Sequence, residues 1–194
     1  GQYEKVIKDY GGELYSEINK DKTTFSVTAP KNLLETIFWM EADRVAYLTD
    51  SMTEKRFDRV KGKITQFIYD SLFKDSYGLA NTLTEKNLYP FAHPYSWPYF
   101  GLLDHYDKFT LADLKQYFYE WYGANNMILT ITGDVNPEEV LKMAVKYFGP
   151  LTKSPKDNAY TYDLINRMTM GGNFDNSEPR YISYQADIKR PMLT

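Results

Sequence analysis

Residues able to do chemistry are few in this chain, and their spacing is restrictive. There are two histidines and no cysteine. His93 and His105 are too far apart to form the i, i+4 helical pair that zinc sites favour, so alone they do not make a metal site. The absence of cysteine excludes disulfides and thiolate metal centres and fits any compartment. Two charged groups stand against apolar surface. Glu41 falls inside the helical stripe of Leu34, Ile37, Phe38, Ala42, Val45 and Leu48. It reads as a carboxylate paired with Arg44 one turn on, because buried charges are normally paired, or as a carboxylate held in a cleft. Lys63 flanks a second stripe of Phe57, Val60, Ile64, Phe67, Ile68 and Leu72. Taken alone it is a solvated lysine whose stem covers apolar surface.

Those two stripes define a pair of long helices from Lys31 to about Phe73, around which the rest is organised. Pro30 opens the first, and Ser51 or Thr53 is the expected N-cap of the second. Gly62 within the second costs roughly 1 kcal/mol against alanine, which predicts close packing or a bend there. Ahead of the pair, Gln2 to Tyr10 reads as the end of a short helix with Val6 and Tyr10 four apart, stopped by Gly11-Gly12. Glu13 to Asn19 and Thr23 to Thr28 alternate, with Lys20-Asp21-Lys22 as a polar turn between them, which predicts a β-hairpin or two antiparallel neighbours with a tight connection. Behind the pair, Leu79 to Leu88 is a further helix ended by Pro90. Pro90 to Pro98 is an ordered, proline-rich aromatic loop in which His93 donates to a backbone carbonyl or, alternatively, ligates metal. Trp97 and Trp121 read as packing residues.

Thr110 and Asp113 form a capping box for a helix burying Leu111, Leu114, Phe118 and Trp121. Met127 to Thr132 is an expected strand. Asn136-Pro137-Glu138-Glu139 opens a helix with inner face Val140, Ala144 and Phe148, ended by Gly149-Pro150. Leu151 to Asp157 reads as a polar linker, and Tyr181 to Ile188 as a strand. The chain reads as starting and stopping inside a longer fold. Its slightly negative charge gives no reason to expect nucleic acid, and no segment reaches the length of a membrane span.

Several phrases now resemble, in order, the insulinase/pitrilysin (M16) family of zinc metallopeptidases. They are Gly11-Gly12-Glu13-Leu14 followed by Asp21-Lys22-Thr23; Leu34-Glu35 through Glu41-Ala42-Asp43-Arg44; His93-Pro94-Tyr95 with Trp97-Pro98 and Gly101; and Asn125-Asn126-Met127 with Gly133-Asp134-Val135. The resemblance covers about residues 1–150. It implies an α+β fold, mostly antiparallel sheet packed against long helices. It assigns 1–108 to the C-terminal part of the first conserved region, without the zinc-motif helix, and 109–194 to the start of the second, in the same structural unit.

Active members carry zinc on an inverted H-x-x-E-H helix, which would lie upstream of Gln2. The family's further acidic pair, seven residues apart with a valine between, falls on Arg56 and Lys63 when anchored on Val60. An ammonium has no lone pair to offer a cation. Glu54 and Asp58, the nearby carboxylates, break the valine spacing. No catalytic or metal-binding residue is therefore assigned in this chain, and zinc belongs to the active members. The family's Asn-Ala pair, on the edge strand along which substrate lies, is replaced by Tyr15 and Ser16. Tyr15, Ser16 and Glu17 are the candidate substrate-strand residues. The expected function is that of a non-catalytic homologue or half, lining the chamber of a two-part zinc protease. Its expected partners are a peptide or unfolded polypeptide and a second M16-like half, in cis or trans. The alternatives are an active zinc endopeptidase with its motif upstream, and a structural scaffold subunit like those of respiratory complexes that share this ancestry. A bacterial member would be periplasmic or cytoplasmic.

Overall fold

A computed structural model describes residues 2–89, 93–155 and 183. In chain order its elements are α1 (Gln2–Asp9), β1 (Glu13–Ile18), β2 (Thr23–Thr28), α2 (Leu34–Tyr47), α3 (Glu54–Phe73), α4 (Ala80–Leu88), α5 (Leu111–Trp121) and α6 (Pro137–Phe148), with short 3₁₀ turns between them. The fold is α+β. The described residues divide into two compact units, one built from 2–53 and 110–155, the other from 54–89 and 93–109.

In the first unit α1 ends as its glycines dictate. Gly11 takes φ +76°, its N–H reaches the Lys8 carbonyl, and the Gly12 N–H reaches the Ile7 carbonyl, both at 2.9 Å. These are the two bonds of a Schellman motif. A Cβ on Gly12 would lie 2.7 Å from both Ile7 Cγ2 and the Thr28 carbonyl oxygen, so the chain can enter the hairpin here only without a side chain. Ile7, not Val6 or Tyr10, is the residue of α1 that is buried; Tyr10 is exposed. β1 and β2 pair antiparallel from Glu13 opposite Thr28 to Ile18 opposite Thr23. The Asn19 side chain closes the turn by accepting from the Asp21 and Lys22 N–H groups at 2.9 Å, as an Asx-turn does.

After Pro30, residues Lys31–Leu33 form a 3₁₀ turn, and α2 proper begins only at Leu34. Phe38 and Ala42 are the buried members of the predicted stripe, joined by Leu33 and by Leu111 of α5. The Phe38 ring meets Phe148 of α6 edge-on at 5.9 Å, which places α6 against α2. Ser51 closes the end of α2 by donating to the Leu48 carbonyl, which leaves Thr53 in the position ahead of α3. Both later caps form as their sequences require. Thr110 and Asp113 make the reciprocal capping box, and Asn136 Oδ1 accepts from the Glu138 and Glu139 N–H groups.

Met127–Thr132 is not a strand among the described residues, where the only ladder joins β1 and β2. Alternation supplies a surface for pairing, but a strand also needs a partner. The expected strand Tyr181–Ile188, apart from residue 183, lies outside the described residues, as do Pro90 and Phe91. The expected linker is also different in kind. Ser154 is buried, its N–H donates to Asn125 Oδ1 at 2.7 Å, and its carbonyl accepts from Asn125 Nδ2 at 3.2 Å. With Ala124 N–H on the Thr152 carbonyl at 3.0 Å, residues 151–154 form a strap bound across Gly123–Asn125.

In the second unit α3 buries Phe57, Ile68 and Leu72. Phe57 meets Phe109 at 6.0 Å, and Lys61 reaches the Phe109 carbonyl at 3.0 Å. The other half of the predicted stripe, Val60, Ile64 and Phe67, is exposed, Phe67 by 69%. Six apolar residues on α3 span too wide an arc for one contact line to cover. Gly62 has nothing within 4 Å of where a Cβ would sit, so the expected close packing is not there, and α3 runs through it unbroken. Gly62→Ala is accordingly expected to stabilise the protein by about 1 kcal/mol, read as a higher urea midpoint at unchanged slope.

Candidate functional site

β1 is an edge strand with a definite polarity of free groups. Asn19 N–H bonds to the Lys22 carbonyl at 3.0 Å, which fixes that pair as hydrogen-bonded. Counting back through the register, antiparallel alternation makes Glu17, Tyr15 and Glu13 hydrogen-bonded to β2 and turns the amides and carbonyls of Ile18, Ser16 and Leu14 outward. Among the described residues no strand pairs with that side. Phe25 lies directly opposite Ser16 and carries the Arg44 guanidinium 3.7 Å over its ring, so Ser16 and its strand-mates Leu14 and Ile18 share the face turned to α2. Tyr15 and Glu17 point to the other face, and Tyr15 is 64% exposed. The three residues predicted for the substrate strand therefore lie on one strand, with only Ser16 offering its backbone outward.

Glu41 is held, not free. It accepts from Tyr3 Oη and from Arg44, whose Nε lies at 3.1 Å. The glutamate and arginine side chains are 17% and 20% exposed. This is the paired reading of Glu41, and the third partner, Tyr3, comes from α1. Burial, and then the bond to Glu41 and its negative charge, push the Tyr3 hydroxyl above the ordinary tyrosine range.

Arg56 and Lys63 sit on α3, both exposed and seven residues apart, and so on one helix face. Glu54 and Asp58 are also exposed, but at 3.6 residues per turn they lie about 180° and about 140° around α3 from Lys63. A register slip that brought either carboxylate to the Lys63 direction would require rotating the helix and burying its charged side. The next carboxylate on the Lys63 side, Asp70, is engaged by Lys74 at 2.9 Å and Gln66 at 2.7 Å. The groups around Lys63 do not suit zinc: Arg56 and Lys63 are cations, and neither offers a lone pair to a metal. Among the described residues no three His, Cys, Asp or Glu side chains gather to hold a metal.

His93 caps the 3₁₀ turn 94–96. Its Nδ1 accepts from the Tyr95 N–H at 3.0 Å. The ring stacks on Tyr89 at 5.0 Å and meets Tyr95 edge-on. A proline at the first position of the turn leaves the Tyr95 amide as an orphan donor, and His93 satisfies it. The remaining functional feature that sequence reasoning missed is an aromatic groove in the first unit. Its signal was present as Trp39, Asp43 and Tyr47 at four-residue steps along α2, beside the core stripe.

Comparison with known proteins gives the following. The family model described as Peptidase M16 inactive domain matches residues 108–190. The zinc protease PqqE of Helicobacter pylori is 26% identical over 161 residues, covering 78% of this chain and 33% of that protein. The probable mitochondrial-processing peptidase subunit beta of Schizosaccharomyces pombe is 36% identical over 62 residues, 32% of this chain and 14% of that one. Among solved structures, a protease from Helicobacter pylori superposes with a TM-score of 0.72 at 20% identity, covering 81% of this chain and 37% of that chain. The first half of the periplasmic protease PqqL from Escherichia coli gives 0.60 at 19% identity, covering 79% and 35%. The chain thus spans about a third of the length of PqqE and of both solved structures. No helix among the described residues is long and apolar enough to cross a membrane.

Proposed function

Because the chain belongs to the insulinase/pitrilysin (M16) peptidase family, we propose that it is a non-catalytic, peptide-binding portion of a two-part M16 assembly, lining a chamber completed by a second M16-like half in cis or trans. The observation that carries this reading is the free edge of β1. The outward amides and carbonyls of Leu14, Ser16 and Ile18 can extend the hairpin by one strand from a peptide or unfolded polypeptide, with backbone bonds giving affinity and side-chain pockets giving choice. The non-catalytic part of the reading is supported by Arg56 and Lys63 on α3, which stand where the resemblance implies acidic residues.

The test is Ser16→Pro. The Ser16 N–H faces away from β2, so proline removes an outward donor while sparing the ladder, and edge strands accept proline. Peptide affinity, measured by titration with an extended unstructured peptide, is expected to fall about tenfold or more, with the thermal midpoint little changed. Unchanged affinity would remove the edge from the account and favour a scaffold role.

A second reading is an active zinc endopeptidase whose ligands lie on other residues. It is supported by the name of PqqE as a zinc protease. The coding sequence ahead of Gln2 decides between the two. An H-x-x-E-H there favours catalysis, and its absence ends that reading.

A further inference from the structure

The first unit contains a second feature that a peptide could occupy, away from the β1 edge. α2, α5 and the strap after α6 enclose a groove of about 490 Å³, within the size range of small-ligand and short-peptide sites. Its floor is Ala42 and Gly123, both buried. Its walls are aromatic, lined by Trp39 and Tyr47 of α2, Phe118 and Tyr119 of α5, and Tyr122 just after α5. Trp39, Tyr47 and Tyr119 are 55%, 60% and 64% exposed, an arrangement that leaves large rings wet. Phe118 and Tyr122 are stacked with centroids 4.1 Å apart, which makes that wall rigid.

The groove is also elongated. A second, shallower concavity of about 470 Å³ borders it, sharing Trp39 and Tyr147 and adding Asn32, Glu35 and Thr36. From Asn32 to Thr49 the lining follows about 25 Å of helix, the reach of roughly seven extended residues. A compact metabolite would fill only part of that length, whereas a chain would follow it.

Charge selects among chains. Lys146, at the groove, is already neutralised by Glu35 at 2.8 Å, and Glu35 also accepts from Tyr147 Oη at 2.8 Å. Lys115 and Lys153, on the α5 wall and on the strap, make no ion pair among the described residues, and Asp43 is the opposing charge. Two uncommitted ammonium groups beside open aromatic rings suit an occupant that brings carboxylates together with apolar side chains.

We propose that this groove binds a short, extended acidic peptide segment, its aromatic or aliphatic side chains against Trp39, Tyr47 and Tyr119 and its carboxylates on Lys115 and Lys153. The site is separate from β1 and does not depend on strand addition there. The test is a chemical-shift titration of the ¹⁵N-labelled full chain. One probe is a heptapeptide alternating glutamate with phenylalanine and leucine; the other replaces each glutamate by lysine. The acidic peptide is expected to shift the amides around Tyr47, Lys115, Tyr119 and Lys153, and to bind roughly tenfold or more tightly than its basic counterpart. The double variant Lys115→Glu with Lys153→Glu, at exposed positions, is expected to reverse that order of preference. Ser16→Pro is expected to leave it intact. Ala46→Trp, which fills the groove, should abolish the shifts. Equal binding of the two peptides, shifts confined to β1, or affinity indifferent to charge reversal would each overturn the proposal. So would shifts that appear on concentrating the protein alone, because the occupant would then be a second copy.

Discussion

Gly123→Ala is expected to destabilise the first unit by about 2–4 kcal/mol, well above the typical single substitution. A Cβ there would stand 2.0 Å from the Ser154 backbone nitrogen and 2.5 Å from its Cβ. These are main-chain contacts that no rotamer change relieves. The strap must move outward, and three ties go with it: both Asn125 bonds to Ser154 and the bond from Ala124 N–H to the Thr152 carbonyl. The Ser154 hydroxyl also loses its bond to the Glu120 carbonyl at the end of α5. Buried polar groups left unpaired add about 1–3 kcal/mol each where water cannot follow. Asn125→Ala, which removes both side-chain bonds to Ser154 without forcing the strap outward, should cost less, about 1–2 kcal/mol. Urea unfolding followed by circular dichroism measures both. A Gly123→Ala protein as stable as wild type would mean that the strap does not lie across Gly123.

Glu41→Ala is the second large effect, expected at about 2–3 kcal/mol. Most of the Glu41 and Arg44 side chains is out of water, and removal of one partner from such a pair leaves the other charge uncompensated. The Tyr3 hydroxyl is orphaned at the same time, loosening α1 from α2. Glu41→Gln keeps an acceptor and should lose about half as much. Glu35→Gln, at an exposed pair, should change nothing measurable. The same cluster sets an alkaline limit. The fold holds the Tyr3 pKa above its unfolded value, so the protonated ring is the stabilised form. That stabilisation is complete below about pH 10 and is lost as pH rises above it. Denaturation midpoints should therefore fall above pH 10 in the wild type, and less steeply in Tyr3→Phe.

What was legible in the sequence was local. The stop at Gly11-Gly12, the Thr110–Asp113 capping box, the Asn136 cap and the hairpin each need only residues within a turn of one another, and each forms as read. Glu41 with Arg44 belongs to the same class. Features that span sequence distance were not legible. Nothing in Leu151–Asp157 reveals that Asn125, 29 positions before Ser154, will hold it. The α3 stripe shows the opposite failure. Periodicity marks Val60, Ile64 and Phe67 as apolar, but whether they are covered depends on what lies opposite them, and in this structure they are exposed. The candidate site divides along the same line. The significance of Arg56 and Lys63 came from their place in the pattern that the resemblance implies, together with their charge. Which of Tyr15, Ser16 and Glu17 turns its backbone outward required the hairpin register.

The most direct measurement on strand addition at β1 is residue-resolved hydrogen exchange, with and without an extended peptide. The account predicts new protection at the amides of Leu14, Ser16 and Ile18 on peptide addition. It also predicts little change at Glu13, Tyr15 and Glu17, whose N–H groups already bond to β2. Protection that rises equally along β1, or not at all while peptide is bound, would contradict it.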